Sequence, residues 1–415
     1  MDVTLHPKFA DNLIAQETAN AIEACVHCGF CLATCPTYLE ARDERDSPRG
    51  RIYLIRDFLQ TGESDSVAQH HIDRCLTCRS CESTCPSGVV YGDIVDGGRE
   101  LLERSVQRPV ASRFQRKLLR GVVSRPALFK KLLAVGRLFK GILPTTLKQQ
   151  IPPTQKVLPA STNVDVGDKD TGRVLLLEGC VQRAATPNTN LALRHLLSYL
   201  NITVIESPAQ GCCGALNTHL GAREEGLNDL RRNIDTWWPA IEEGVDAIIS
   251  TATGCGTLLV DYGKLLAYDE QYASKAQQVS DLTTDVAAYF AGERMEAIPS
   301  LRPDKLPRLS VHTPCSQSHA LGDPDTVKDL LRSRGYFLLS TEEDHLCCGS
   351  AGSYSILEPE MAQRLRERKL HALDAEHADV IVTANVGCQL HLAAGGDTPV
   401  RHWLELILET VPAHP

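Results

Sequence analysis

Cys25-Val26-His27-Cys28-Gly29-Phe30-Cys31-Leu32-Ala33-Thr34-Cys35-Pro36 and Cys75-Leu76-Thr77-Cys78-Arg79-Ser80-Cys81-Glu82-Ser83-Thr84-Cys85-Pro86 are two copies of one pattern, C-x2-C-x2-C-x3-C-P. This is the run by which thiolates hold [4Fe–4S] clusters, so two copies predict two clusters. Two-residue gaps let three thiolates of one tight loop reach three irons of a cube, and the fourth cysteine is carried away from the loop. In two-cluster proteins of this pattern the fourth cysteine serves the other cluster. The expected sets are therefore Cys25, Cys28, Cys31 and Cys85 for one cluster, and Cys75, Cys78, Cys81 and Cys35 for the other. Paired CxxC runs also suit structural zinc, but two identical four-cysteine runs, each closed by proline, favour clusters.

Around these motifs the sequence reads as helical: residues 9–24 lead into Cys25 with helical apolar spacing. Ser47 to Arg51 reads as a turn, followed by a helix from Ile52 to Leu59. A helix-rich two-cluster ferredoxin module over residues 1–103 is expected. Residues 104–170 form a basic amphipathic segment and a linker. From Arg104 to Lys148 there are twelve Lys or Arg and no Asp or Glu, a contrast that marks a contact surface. Leu128, Leu132, Val135, Phe139 and Ile142 fall on one helical face, which suits packing on the chain's own domains, a partner subunit or an anionic membrane. Ile151 to Lys169, with Pro152, Pro153 and Pro159, reads as the boundary.

The second half repeats itself after 135 residues. Val174 to Leu177 leads to Cys180, then Cys212-Cys213-Gly214 and Cys255; Leu309 to Val311 leads to Cys315, then Cys347-Cys348-Gly349 and Cys388. In each copy 31 residues separate the first cysteine from the pair, and 41 or 39 separate the pair from the last cysteine. Strands alternating with helices predict two α/β cysteine-rich (CCG) domains, over residues 171–300 and 301–415, with the cysteines beyond the carboxyl ends of parallel strands. Cys180, Cys212, Cys213 and Cys255, and likewise Cys315, Cys347, Cys348 and Cys388, are candidate sites for a further iron–sulfur cluster or zinc. His27, His312 and His345 lie near cysteines and could assist them.

Composition is that of a globular protein, 43% hydrophobic and 23% charged, with net charge −9, which argues against nucleic-acid binding. Sixteen cysteines in metal-type runs point to a reducing, cytoplasmic setting. No long apolar run spans a bilayer. No G-x-G-x-x-G, Walker A run or nucleophile elbow is present, so the chain carries no visible substrate chemistry of its own. Electron transfer remains, and a catalytic residue is not expected.

The repeats resemble the CCG domains found in heterodisulfide reductase, in anaerobic glycerol-3-phosphate dehydrogenase and in lactate-utilisation iron–sulfur proteins. Over its length the chain most resembles the iron–sulfur subunits of bacterial glycolate oxidase (glycolate dehydrogenase). The resemblance lies in the first cluster loop, Ser47 to Ile55, Asn233-Ile234-Asp235-Thr236-Trp237-Trp238-Pro239-Ala240, His345 to Gly352, Thr383 to His391 and Arg401-His402-Trp403. It implies a non-catalytic subunit that takes electrons from flavin-containing (FAD) subunits oxidising glycolate to glyoxylate and passes them to a quinone or other respiratory acceptor. Peripheral contact with the inner face of the membrane would fit such a role. Alternatives are the same role in a lactate or glycerol-3-phosphate dehydrogenase, or thiol–disulfide reduction. The heterodisulfide-type motif ends in C-x2-C, whereas here Ala252 and Asn385 replace the first cysteine of that pair. Four cysteines remain in each repeat, which leaves a further cluster, zinc or no metal open.

Overall fold

A computed structural model describes residues 1–142, 151–158, 171–301 and 305–412. The first module is helical. Asn12 caps α1 (Leu13–Glu23), its side chain accepting from the Ala15 N–H. Ser47, read from sequence as part of a turn, instead caps α2 (Pro48–Thr61) by accepting from the Gly50 N–H, with Pro48 in the first helical position. The helix therefore begins four residues before Ile52. Gly50 is needed there because a Cβ would lie 1.9 Å from the Glu44 carbonyl oxygen. With α3 (Tyr91–Ser105), these helices bury Ala15, Ile22, Ile55, Phe58, Ile94 and Leu102 in a core that also takes in Cys25, Cys75 and Cys81.

Two basic helices follow, α4 (Val110–Val123) and α5 (Pro126–Leu138). Arg108 and Arg116 pair with Asp73 of the first module, and Arg120 pairs with Glu225 of the first repeat. On α5 the side that packs inward carries Leu133, against Ala184 and Ala185. The amphipathic face read from sequence points the other way: Leu128, Leu132, Val135, Phe139 and Ile142 are exposed, as are Phe114 and Leu118 of α4. Packing of that face on the chain's own domains is thus excluded among the described residues. Lys148, at the end of the expected basic stretch, and Pro159 and Lys169 of the expected linker lie outside the described residues.

Each repeat is a four-stranded, all-parallel sheet. The first contains β1 (Gly172–Leu177), α6 (Pro187–Tyr199), β2 (Ile202–Ile205), α7 (Arg223–Glu243), β3 (Ala247–Ser250), α8 (Thr253–Val260) and β4 (Thr283–Asp285). The second contains β5 (Arg308–His312), α9 (Thr326–Ser333), β6 (Phe337–Leu338), α10 (Pro359–Leu373), β7 (Val380–Thr383), α11 (Val386–Ala393), β8 (Val400–His402) and α12 (Trp403–Glu409). The orders β2-β1-β3-β4 and β6-β5-β7-β8 are the same topology twice. The central strands are continuous apolar runs because both faces are covered by helices: Val174, Leu175, Leu176 and Leu177 are all buried.

The repeats share one core rather than standing as beads. Phe290, in the helix after β4, meets Trp403, in the helix after β8, with ring centroids 6.4 Å apart. Val174 and Leu176 belong to the same buried cluster as Leu309, Val311 and Leu331. His402 Nε2 meets the Thr251 carbonyl at 2.9 Å, and the Thr253 and Ser316 hydroxyls are 2.7 Å apart. The first module is tied to both repeats, by Arg79 to Asp261 at 2.8 Å and by Arg368 to Glu40 at 2.8 Å.

Candidate metal centres

Cys25, Cys28, Cys31 and Cys85 wall one cavity of the helical module, together with His27, Arg49 and Ile52. Cys35, Cys75, Cys78 and Cys81 wall a second, together with Arg51 and Leu76. The first cavity thus takes three cysteines from the first motif and is reached by Cys85 and Cys81 of the second, while the second cavity takes three from the second motif and Cys35 from the first. Pro48, Cys81 and Tyr91 line both, so the two are neighbours. The two loops share a backbone: His27 and Thr77, at equivalent positions, have φ of 56° and 53°, and Gly29 and Arg79 have φ of 87° and 58°. Such left-handed turns fold three sulfurs toward one point.

Charge around the second cavity is fixed by a buried ion network. Arg51, wholly buried, donates to the His71 carbonyl at 2.7 Å and to Thr37 Oγ1 at 3.1 Å, and pairs with Asp46. Asp46 also holds Arg74 at 2.5 Å and His71 at 2.9 Å. Arg49, which lines the first cavity, pairs with Glu44.

Both cavities suit a cationic, sulfur-binding group. None of the sixteen cysteines is in a disulfide. Burial pushes Cys31 up to about 11 and lifts Cys78 and Cys81 well above the ordinary thiol range. A bound metal ion would replace the hydration that thiolates lose on burial here. Hydrogen bonds to sulfur are already in place, from the Thr77 N–H to Cys75 Sγ at 3.4 Å and between Cys35 Sγ and Thr37 Oγ1 at 3.3 Å.

The repeats gather their cysteines at the carboxyl ends of β1 and β3, and of β5 and β7. Cys180 Sγ lies 3.8 Å from Cys212 Sγ, and Cys315 Sγ lies 3.8 Å from Cys347 Sγ. Thiol donation from Cys180, and then from Cys213, holds Cys212 well below the usual thiol range. Hydrogen bonding to Cys347, with burial, raises Cys315. Gly214 and Gly349 have φ of 99° and 88°. Asn385 Nδ2 donates to Cys388 Sγ at 3.4 Å.

The two repeat sites differ in their surroundings. Leu76, Cys78, Cys315 and Cys347 pack in one cluster with Tyr354, so the second repeat's sulfurs lie against the second cavity of the helical module. Cys180, Cys212 and Cys213 instead pack among Leu230, Trp237 and Tyr262 of their own repeat. In the second repeat a ring nitrogen of His312, Cys348 Sγ and Cys388 Sγ lie within 4.8 Å of one another. His345 is not in that group; its carbonyl accepts from His319. Tyr91 and the packing of Cys78 in one cluster with Cys315 and Cys347 escape sequence reasoning. His312 is detectable as the residue that replaces Leu177 when the repeats are aligned at their 135-residue offset.

A two-motif cluster module joined to paired cysteine-rich α/β repeats defines an iron–sulfur electron-transfer protein, and the family models agree. A "4Fe-4S dicluster domain" matches residues 21–89, and a "Cysteine-rich domain" matches residues 174–260 and 309–393. The glycolate oxidase iron-sulfur subunit of Escherichia coli K12 is 45% identical over 407 residues, covering 98% of each chain. The probable glycolate oxidase iron-sulfur subunit of Bacillus subtilis 168 is 29% identical, covering 93% of each. One of the subunits of the fumarate reductase (CoM/CoB) from Methanothermobacter marburgensis is 23% identical, over 93% of this chain and 72% of its own. The chain belongs to the family of glycolate oxidase iron–sulfur subunits.

Proposed function

We propose that this chain carries electrons from flavin-containing subunits that oxidise glycolate to glyoxylate, delivering them one at a time toward a quinone or other respiratory acceptor. Glycolate loses two electrons and two protons in becoming glyoxylate, so a two-electron flavin must be drained by one-electron carriers. The observation that carries the reading is the pair of adjacent cavities with interchanged fourth cysteines, the second of them touching the second repeat. Cys25, Cys28, Cys31 and Cys85 would hold one [4Fe–4S] cluster, and Cys75, Cys78, Cys81 and Cys35 the other. Bound clusters supply reversible one-electron chemistry. The chain's residues fix their spacing, exclude water through Tyr91, Ile52 and Leu76, and set the local field through Arg51.

The packing of Leu76 and Cys78 with Cys315 and Cys347 supports an onward path to the second repeat. Cys315, Cys347, Cys348 and Cys388 would accordingly hold a third redox centre. Cys180, Cys212, Cys213 and Cys255 are a further candidate site for iron–sulfur or zinc. The exposed face of α4 and α5 fits peripheral contact with an anionic membrane surface: Arg113, Lys117, Arg125, Lys130 and Lys131 have no carboxylate partner among the described residues, and they flank exposed Phe114, Leu132 and Leu138. Among the described residues no helix is long and apolar enough to cross a membrane.

The test is anaerobic purification of the chain with and without its flavin subunits, with iron and sulfide analysis and EPR. The reading expects about eight irons from the two-cluster module and about four more from a third cluster, reduced by glycolate only when the flavin subunits are present. Reduction of the isolated chain by glycolate, or zinc in place of iron throughout, overturns it.

A further inference from the structure

We propose that His312 is a metal ligand, contributing Nε2 to an iron–sulfur centre shared with Cys315, Cys347, Cys348 and Cys388. The second repeat would then hold a centre of mixed thiolate and imidazole ligation. This rests on the reading that the second repeat's cysteines bind a redox centre.

His312 ends β5 and is 1% exposed. Its Nδ1 lies 3.0 Å from Thr383 Oγ1, while Nε2 is buried without a hydrogen-bond partner. A buried, unpaired ring nitrogen is costly, yet the imidazole of His312 offers a ring nitrogen to a group that includes Cys348 Sγ and Cys388 Sγ, all within 4.8 Å of one another. The Thr383 hydroxyl can accept the Nδ1–H. That tautomer leaves a lone pair on Nε2, and fixing one nitrogen to orient the other is how metal-binding histidines are commonly held.

The first repeat provides an internal control. Its topology is the same and its four cysteines occupy the same places, but the equivalent position is Leu177, fully buried on β1 and packed among Cys180, Cys212 and Cys213. An apolar side chain fills that place there, so the fold itself does not require an imidazole at this position. The repeat with the histidine is also the one whose sulfurs lie against Cys78 of the cluster module.

An imidazole is neutral where a fifth thiolate in its place would carry a negative charge, so the centre is easier to reduce than one with cysteine at this position, as it is when histidine replaces cysteine at other iron–sulfur centres. His312 would thereby make the second repeat an electron sink for the cluster at Cys75, Cys78, Cys81 and Cys35.

The experiment uses the full chain, anaerobically purified, unlabelled and with 15N-histidine, in wild type, His312→Leu and His312→Cys. The wild type is expected to show a third reduced signal beyond the two-cluster module, with a histidine nitrogen hyperfine coupling in pulsed EPR that changes on 15N labelling. In His312→Cys the centre should stay loaded, lose that coupling and titrate at lower potential, with the first two signals unchanged. His312→Leu should lose iron from the third centre alone. A third signal without histidine coupling, or one whose coupling survives in His312→Cys, overturns the proposal and leaves the redox reading of the repeat standing. Zinc at this site, or no metal beyond the two-cluster module, overturns both.

Discussion

Gly349 shows how a single residue fixes the sulfur geometry. Its φ is 88°, and a Cβ would lie 2.8 Å from the Ala362 carbonyl oxygen of α10, a backbone atom that cannot step aside. Gly349→Ala should cost about 1–3 kcal/mol, read as a lower urea midpoint, and should displace the neighbouring Cys347 and Cys348. A midpoint equal to that of the parent would show that the turn relaxes freely. His402 is a second residue-scale case. Burial holds its pKa down to about 4 while Nε2–H donates across the repeat boundary to Thr251. An unfolded chain takes up that proton near pH 6.5, so stability is full above about pH 6.5 and is lost as pH falls toward 4. The loss attributable to this group is about 2 kcal/mol by pH 5. Urea titrations at pH 7.5 and 5 should show a smaller decline in His402→Gln than in the wild type; parallel declines would exclude His402 as the source.

At the scale of elements, the proposed exchange of last cysteines between the two cluster loops predicts a crossed phenotype. Cys85→Ser should abolish the EPR signal of the cluster held by Cys25, Cys28 and Cys31, while Cys35→Ser should abolish that of the cluster held by Cys75, Cys78 and Cys81. Uncrossed losses would mean that each motif serves itself. Helix starts show what local sequence can and cannot say. Ser47-Pro48 looks like a turn because proline breaks helices from within, yet serine at the cap and proline in the first turn start one. Strands β4 and β8 escaped notice for a different reason: Thr283–Asp285 and Val400–His402 are three residues each, at sheet edges, with little apolar pattern to mark them.

For the whole molecule, the α4–α5 face makes the clearest prediction. Replacing Phe114, Leu118, Leu132 and Leu138 with serine should reduce co-sedimentation of the purified protein with vesicles rich in anionic phospholipid by about tenfold, leaving the cluster spectra unchanged. The interaction should weaken with salt, because exposed cations are screened beyond about 10 Å at 0.1 M. Vesicle binding that is absent or unaffected, with loss of flavin-subunit binding instead, would assign the face to a partner subunit.

The cysteine runs, the repeat and its parallel α/β character were legible in the sequence, because metal-ligand spacing and buried-strand periodicity are local properties. The CC-Gly turns were legible too, since only glycine adopts their backbone without strain. Tertiary packing alone decided the rest. It set the second repeat's sulfurs against Cys78, buried Arg51 in an ion network beside Cys35, and turned the apolar face of α5 outward. It also left His312 without a partner for Nε2 among sulfurs that are remote in sequence. These are contacts between segments tens to hundreds of residues apart, and no window of sequence carries the distance between them.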